Sequence, residues 1–202
     1  LEGVGIIEAI KKSNRAAAIA VSKFGTQSVT RSELDSKLYD NEIKFFNSND
    51  YLKLKDYIKS FKNKGKKIVF TNGVFDIFHN GHLSLIKESA NLGDVLIVGI
   101  NSDQSVKNLG KGKNRPLNNI NDRAEILSSI EFVDIVCEFD DSTPYNLIKI
   151  IQPDILIKGA DYALNDIVGK DIVEENGGKV LTIKLKNGYS TTSLIKRLDE
   201  LK

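Results

Sequence analysis

Methionine is absent from all 202 residues of this chain. A sequence without an initiator reads as processed, or as cut from something longer. Cysteine occurs once, at Cys137; a single thiol excludes an internal disulfide and suits a reducing, cytoplasmic setting. The longest apolar stretch, 95–100, falls far short of the roughly 20 residues that cross a bilayer. The opening Leu1-Glu2-Gly3-Val4 carries no basic n-region or long h-region, so no signal peptide is expected. A surplus of one charge is also missing. With 29 basic against 27 acidic residues the net charge is +2, too even to argue for a nucleic-acid or membrane partner. Neither the Gly-x-x-x-x-Gly-Lys-Ser/Thr phosphate loop nor the Gly-x-Gly-x-x-Gly dinucleotide fingerprint occurs, and there is no tandem repeat or heptad run.

What remains has the balance of a soluble globular protein, 41% hydrophobic and 28% charged. Its length suits one substantial domain plus an appendage. Residues 1–48 read as the appendage. Ile6, Ile7, Ile10, Ala17, Ala18 and Val21 suggest an apolar helix, a turn follows at 24–28, and 32–46 suggests a second helix. The polar hinge Asn47-Ser48-Asn49-Asp50 then opens a helix over about 51–63, and the main domain is 49–202. From residue 66, β-rich runs are predicted at 67–71, 95–100, 132–137, 155–158 and 180–183. They alternate with helices at about 82–92, 102–109, 122–130, 144–151, 166–176 and 191–201. Continuous apolar strands alternating with helices predict an α/β fold: a Rossmann-like parallel sheet covered by helices on both faces, preceded by a helical remnant. In such sheets ligands bind beyond the carboxyl ends of the strands. That rule selects the loops to read.

After the first strand comes Asn72-Gly73-Val74-Phe75-Asp76-Ile77-Phe78-His79-Asn80-Gly81-His82, which holds both histidines of the chain. A glycine-bearing turn leading into a helix start offers unpaired N–H groups and a favourable dipole to an anion. Two imidazoles there can donate to a phosphate whose charge grows in a transition state. A lone histidine would more often cap or fill a turn; a pair at this topological point favours function. No cysteine is near, and only Asp76 could join as a third ligand, so a metal site is not expected. In the following helix Leu83, Ile86 and Ala90 are predicted to face the core.

The second strand ends at Asn101-Ser102-Asp103, followed by a basic, glycine-bearing loop with Lys107, Lys111, Lys113 and Arg115, which suits a clamp on triphosphate or is simply solvated. The fourth ends at Lys158-Gly159-Ala160-Asp161. A lysine leaving a buried strand on the ligand side points to a ligand, unless it snorkels to solvent. Near the end, Ser190-Thr191-Thr192 opens a helix with more hydroxyls than one N-cap needs. Cys137 lies in an apolar strand and reads as core.

His79-Asn80-Gly81-His82, taken with 72–76, resembles the HxGH signature of the cytidylyltransferase-like nucleotidyltransferase superfamily. Further blocks follow in order at 101–107, 115–117, 153–162, 175–178 and 190–192. Together they resemble the adenylyltransferase half of the bifunctional heptose 7-phosphate kinase/heptose 1-phosphate adenylyltransferases, over about 51–201. Ala16-Ala17-Ala18 and Lys23-Phe24-Gly25-Thr26 resemble the closing segment of the ribokinase-like sugar kinase half, of which 1–48 would be a remnant. Where the family tends to have two glycines after the lysine, this chain has Gly159-Ala160.

The resemblance implies transfer of AMP from ATP to D-glycero-β-D-manno-heptose 1-phosphate. It implies catalytic roles for His79, His82 and Lys158, and nucleotide or phosphate contacts from Asn72, Gly73, Phe75, Asp76, Gly81, Arg115, Ser190, Thr191 and Thr192. Weaker substrate contacts are implied at Asn101, Asp103, Arg123, Gly159 and Asp161. Mg²⁺ would be held mainly by ATP phosphates. A covalently linked kinase domain and a homo-oligomer are the expected partners, in the cytoplasm. A cytidylyltransferase using CTP and a polyol or amino-alcohol phosphate is the alternative within the fold. A non-catalytic nucleotide-binding module of a larger enzyme is the alternative outside it.

Overall fold

The computed structural model describes residues 45–110, 115–160 and 162–184, with Ser13, Ala16 and residues 28–30. The chain divides into two units, Leu1–Ile43 and Lys44–Lys202; every element below lies in the second. In chain order they are β1 (Phe45–Phe46), α1 (Tyr51–Lys62), β2 (Ile68–Gly73), α2 (Asn80–Ala90), β3 (Val95–Asn101), α3 (Asp103–Asn108), α4 (Ile120–Ser128), β4 (Ile135–Phe139), α5 (Tyr145–Ile151), β5 (Ile155–Gly159), a 3₁₀ turn (Leu164–Asp166), α6 (Lys170–Glu175) and β6 (Lys179–Ile183).

The strands form one six-stranded sheet in the order β1-β4-β3-β2-β5-β6, and each neighbouring pair is parallel. Successive residues of a strand point to opposite faces, so a sheet covered on both sides needs apolar residues at every position. Two cores result. Ile68, Phe70, Val95, Ile97, Cys137 and Leu156 meet Leu54 and Ile58 of α1, Leu147 and Ile151 of α5, and Val173 of α6. Val69, Leu96, Val98, Val136 and Ile157 meet Leu85 and Ile86 of α2 and Ala124 and Leu127 of α4. From β2 the chain proceeds through β3 and β4 on one side and β5 and β6 on the other. The topological switch therefore falls between β2 and β5, and the crevice for ligands lies where these two strands end.

The expected Rossmann-like α/β sheet is observed, with three local differences. Residues 45–46, expected to end a helix, instead form β1, an edge strand with Phe45 opposite Val136 and Phe46 opposite Cys137. The helix expected over 166–176 is interrupted by Gly169 at φ +85°, where an added Cβ would lie 2.6 Å from Ile148 Cδ1; α6 begins only at Lys170. In α2 the buried stripe is Gly81, Leu85, Ile86 and Ser89, while Leu83 is exposed. The helix starts two residues earlier than expected, and its core-facing stripe includes Leu85 rather than Leu83.

Candidate functional site

The site is built on the carboxyl end of β2. After five buried residues the strand reaches Gly73, and the chain turns through 74–78 into α2. His79 is the N-cap of that helix, in extended conformation at φ −144°, ψ 170°. Its Nδ1 accepts the backbone N–H of His82 at 3.3 Å, which satisfies one of the helix's orphan donors. An Nδ1 used as acceptor carries no hydrogen, so the neutral ring bears its proton on Nε2. The two imidazoles stack, with centroids 3.7 Å apart and planes 15° from parallel.

Aromatic rings wall His82. Phe75 meets it edge-on at 4.9 Å and Phe78 at 5.6 Å. Phe75 adopts φ +52°, a left-handed conformation unusual for a bulky residue. Gly73 makes it possible, because a Cβ there would come within 3.1 Å of the Phe75 ring. Burial, with His79 alongside, pushes the His82 imidazole down to about 3. Burial also holds His79 below the ordinary histidine range. Both rings are therefore neutral at physiological pH, N–H donors rather than fixed cations. Asn72 Oδ1 and His82 Nδ1 are buried with no hydrogen-bond partner among the described residues. Such atoms are scarce in folded proteins and tend to mark functional places.

Across the switch point, Lys158, the penultimate residue of β5, donates to the main-chain oxygen of Asn72 at 3.0 Å. Its ammonium lies 5.1 Å from the centre of the Tyr162 ring. The lysine thus bridges the two strand ends that border the crevice. On the other side, Asp76 is almost wholly buried. One carboxylate oxygen accepts Arg115 Nε at 2.8 Å; the other accepts the backbone N–H groups of Leu117 and Asn118 at 2.8 and 2.9 Å. Asn118 Nδ2 also donates to the Asp76 carbonyl. At the end of β3, Asn101 Nδ2 donates to Ser105 Oγ at 3.0 Å, and Asp103 pairs with Arg123 at 2.6 Å.

A stack of neutral imidazoles at the positive end of a helix, with Lys158 from the adjacent strand and Arg115 from a loop, offers donors and cations of the kind that bind a polyanion. By contrast, a depression of about 460 Å³ lined by Lys62, Lys66, Lys67, Gln152, Asp154 and Asn176 lies at the amino ends of β2 and β5. That edge is opposite the one where such sheets bind ligands, and Lys62 is committed there to the Gln152 carbonyl.

The profile of the family described as cytidylyltransferase-like matches residues 70–197, from within β2 past the end of β6. The chain belongs to the cytidylyltransferase-like family. Membership places it among nucleotidyltransferases. It is also similar to "Bifunctional protein HldE" of Aliarcobacter butzleri, 45% identical over 98% of this chain, and to that of Campylobacter concisus, 47% identical over 99% of this chain. In both cases it spans 41% of the relative's length. Among solved structures it resembles the lipopolysaccharide core biosynthesis protein from Thermoplasma volcanium, with 28% identity and a TM-score of 0.51, over 62% of this chain and all of that one.

Within this cytidylyltransferase-like unit, Asn72, Gly73, Phe75, Asp76, His79, Gly81 and His82 share one strand-turn-helix segment. Lys158 and Gly159 end the adjacent strand. Gly73 and Phe75, expected at the nucleotide, shape the floor beneath His82. Asp76, expected at phosphate, is occupied by Arg115, Leu117 and Asn118. Arg123, expected at the substrate, is fully buried with its guanidinium bonded to protein atoms. Lys111, Lys113, Asp161, Ser190, Thr191 and Thr192 lie outside the described residues. Sequence reasoning missed Asn118, which is held through its backbone N–H, its carbonyl and its side chain. The only signal was the Asn118-Asn119 doublet before α4, where Asn119 is the N-cap.

Proposed function

We propose that this chain transfers AMP from ATP to D-glycero-β-D-manno-heptose 1-phosphate, giving ADP-D-glycero-β-D-manno-heptose and pyrophosphate, as would serve lipopolysaccharide core or related heptose polymers. The observation that carries this reading is the stacked imidazole pair heading α2 at the topological switch. The sugar is supported by the ordered blocks at 101–107, 115–117 and 153–162 and by the similarity to two proteins named bifunctional HldE.

A phosphate oxygen of the sugar attacks the α-phosphorus of ATP in line. The bond from α-phosphorus to the bridging oxygen breaks, and pyrophosphate leaves with the electron pair. The attacking oxygen is already anionic, so neither a protein nucleophile nor a strong base is required. His79 Nε2–H and His82 donate to phosphate oxygens as charge builds, and the aromatic wall keeps His82 neutral until the anion arrives. Lys158 and Arg115 offset charge on the phosphates. Ser190, Thr191 and Thr192 are assigned to the β- and γ-phosphates, and Asn101, Asp103, Gly159 and Asp161 to the sugar phosphate.

Mg²⁺ fits this site as a companion of the triphosphate. Among the described residues no group of three or more His, Cys, Asp or Glu side chains could hold a metal, and Asp76 is committed to Arg115. The ion would sit on phosphate oxygens, where it would neutralise the leaving group. The relatives' designation as bifunctional and the 41% of their length that this chain spans support residues 1–48 as the end of a linked ribokinase-like sugar kinase. A cytoplasmic homo-oligomer completes the proposal; no helix among the described residues is long and apolar enough to cross a membrane.

Pyrophosphate release decides the matter when ATP and CTP are each paired with heptose 1-phosphate and with glycerol 3-phosphate. Release only from ATP with the heptose is expected. Release only from CTP with a polyol phosphate would identify a cytidylyltransferase, and nucleotide binding with no release from any pair would identify a non-catalytic module.

A further inference from the structure

Arg123 is the largest side chain in the described residues to be fully buried, at 0% exposure. It lies on the stripe of α4 that also buries Ala124 and Leu127, where packing alone would favour an apolar residue. A guanidinium has five N–H groups, and four hydrogen bonds are made here. Nε donates to the Asn118 carbonyl at 3.0 Å. Nη1 donates to the carbonyls of Val74 at 2.9 Å and Asn101 at 2.8 Å. Nη2 donates to Asp103 Oδ1 at 2.6 Å. The four acceptors come from four places: the loop before His79, the end of β3, the start of α3 and the segment before α4.

Two of these ties act on Phe75. Val74 precedes it and is held by Arg123 directly. Asp76 follows it and is held by Arg115, Leu117 and Asn118, the last of which Arg123 holds in turn. Phe75 is thereby clamped on both sides in a left-handed conformation, with its ring edge-on to His82. We infer that Arg123 is a positioning residue: it makes no contact with substrate but sets the histidine loop, through Val74 and Phe75, against the ends of β3 and the 115–118 segment. The catalytic consequence rests on the proposed transferase reading; the effect on the loop does not.

The chain has only two histidines, so its imidazole NMR signals all report on this loop, without any substrate present. In Arg123→Lys the charge remains, but one nitrogen cannot reach four acceptors lying in different directions. The expected result is displaced signals from both imidazoles and a His82 titration midpoint that climbs from about 3 toward the ordinary value. Turnover should fall roughly 10²-fold, the scale of a 1 Å misplacement, with KM for either substrate changed less than threefold. If that variant does not fold, Asp103→Ala removes one tie and leaves three, and a smaller displacement in the same direction is expected. Unchanged imidazole signals and titration in the folded variant would overturn the inference. So would a tenfold rise in KM for the sugar phosphate at unaltered turnover, which marks a substrate contact. Wild-type protein that releases no pyrophosphate from any substrate pair would defeat the transferase reading alone, because the imidazole spectra would still answer for Arg123.

Discussion

The imidazoles of His79 and His82 lie 3.7 Å apart and nearly parallel, and the first accepts the backbone N–H of the second through Nδ1. One side chain therefore holds two roles, helix cap and phosphate donor, and substitution can separate them. His79→Ser supplies a good N-cap but cannot reach a phosphate. It should keep wild-type stability within a few tenths of a kcal/mol and lose roughly 10²–10³ in turnover. His79→Ala should lose similar turnover and also about 1 kcal/mol of stability. Urea unfolding beside pyrophosphate-release kinetics checks both. Equal stability of the two variants would mean that the cap contributes nothing.

Both imidazoles are held below their ordinary range by burial, His82 to about 3. Between the folded and unfolded values the unfolded chain binds more protons. The contribution to stability is thus complete above the unfolded value, near 6.5, and is lost as pH falls toward 3. The melting temperature should drop on acidification from pH 7 to pH 4, with a slope of at most about 1.4 kcal/mol per pH unit for each histidine. His82→Gln should flatten that acid limb. An equally steep limb in the variant would assign it to carboxylates.

Asp76 holds a guanidinium and two backbone N–H groups in a nearly water-free place. Removing the carboxylate strands all three donors. Asp76→Ala should cost about 3–5 kcal/mol, and Asp76→Asn less, since its amide oxygen still accepts from Leu117 and Asn118. Denaturant midpoints measure the difference; a loss below about 1 kcal/mol in the alanine variant would contradict this account.

The parallel sheet was legible because β2 to β5 each open on a continuous apolar run and helical periodicity separates them. β1 was not. Two phenylalanines closing a helix-like stretch carry no period of their own, and only their fit against Val136 and Cys137 makes them a strand. Among the expected site residues, Lys158 stood out as a cation near the end of an apolar strand, and His79 and His82 as a pair at a helix start. Arg123 was expected only as a weaker substrate contact, and its hold on the loop was not legible, because its acceptors are mostly main-chain carbonyls. A carbonyl has no signature in sequence. The same reason hides Asn118.

Cys137, in the middle of β4, is fully buried, and burial raises its thiol above the ordinary range. The native protein should show no thiol reactive toward a disulfide reagent, and one equivalent on unfolding. Rapid labelling of native protein would place β4 nearer solvent than its packing against α1 and α5 allows.

Gly169 sits at φ +85° with its missing Cβ 2.6 Å from Ile148 Cδ1. Gly169→Ala combines left-handed strain of about 1–2 kcal/mol with overpacking of about 1–3 kcal/mol. Thermal unfolding should reveal a loss of at least 2 kcal/mol. Because the position caps the start of α6, on the far side of the sheet from α2, turnover of the protein that remains folded should hold.

Each neighbouring pair of strands among the described residues is parallel, so none is closed by a hairpin. β2 meets β3 soon after it is made, but its tie to β5 waits for a residue 86 positions later. During synthesis the histidine segment therefore exists complete for a long interval while only one wall of its crevice does. A nascent chain stopped before residue 155 would carry every atom of the His79–His82 motif and still expose an unpaired edge of β2, an invitation to strand exchange with other chains. The central strand that anchors the chemistry is for that interval also the place where an unfinished molecule is most exposed to misassembly.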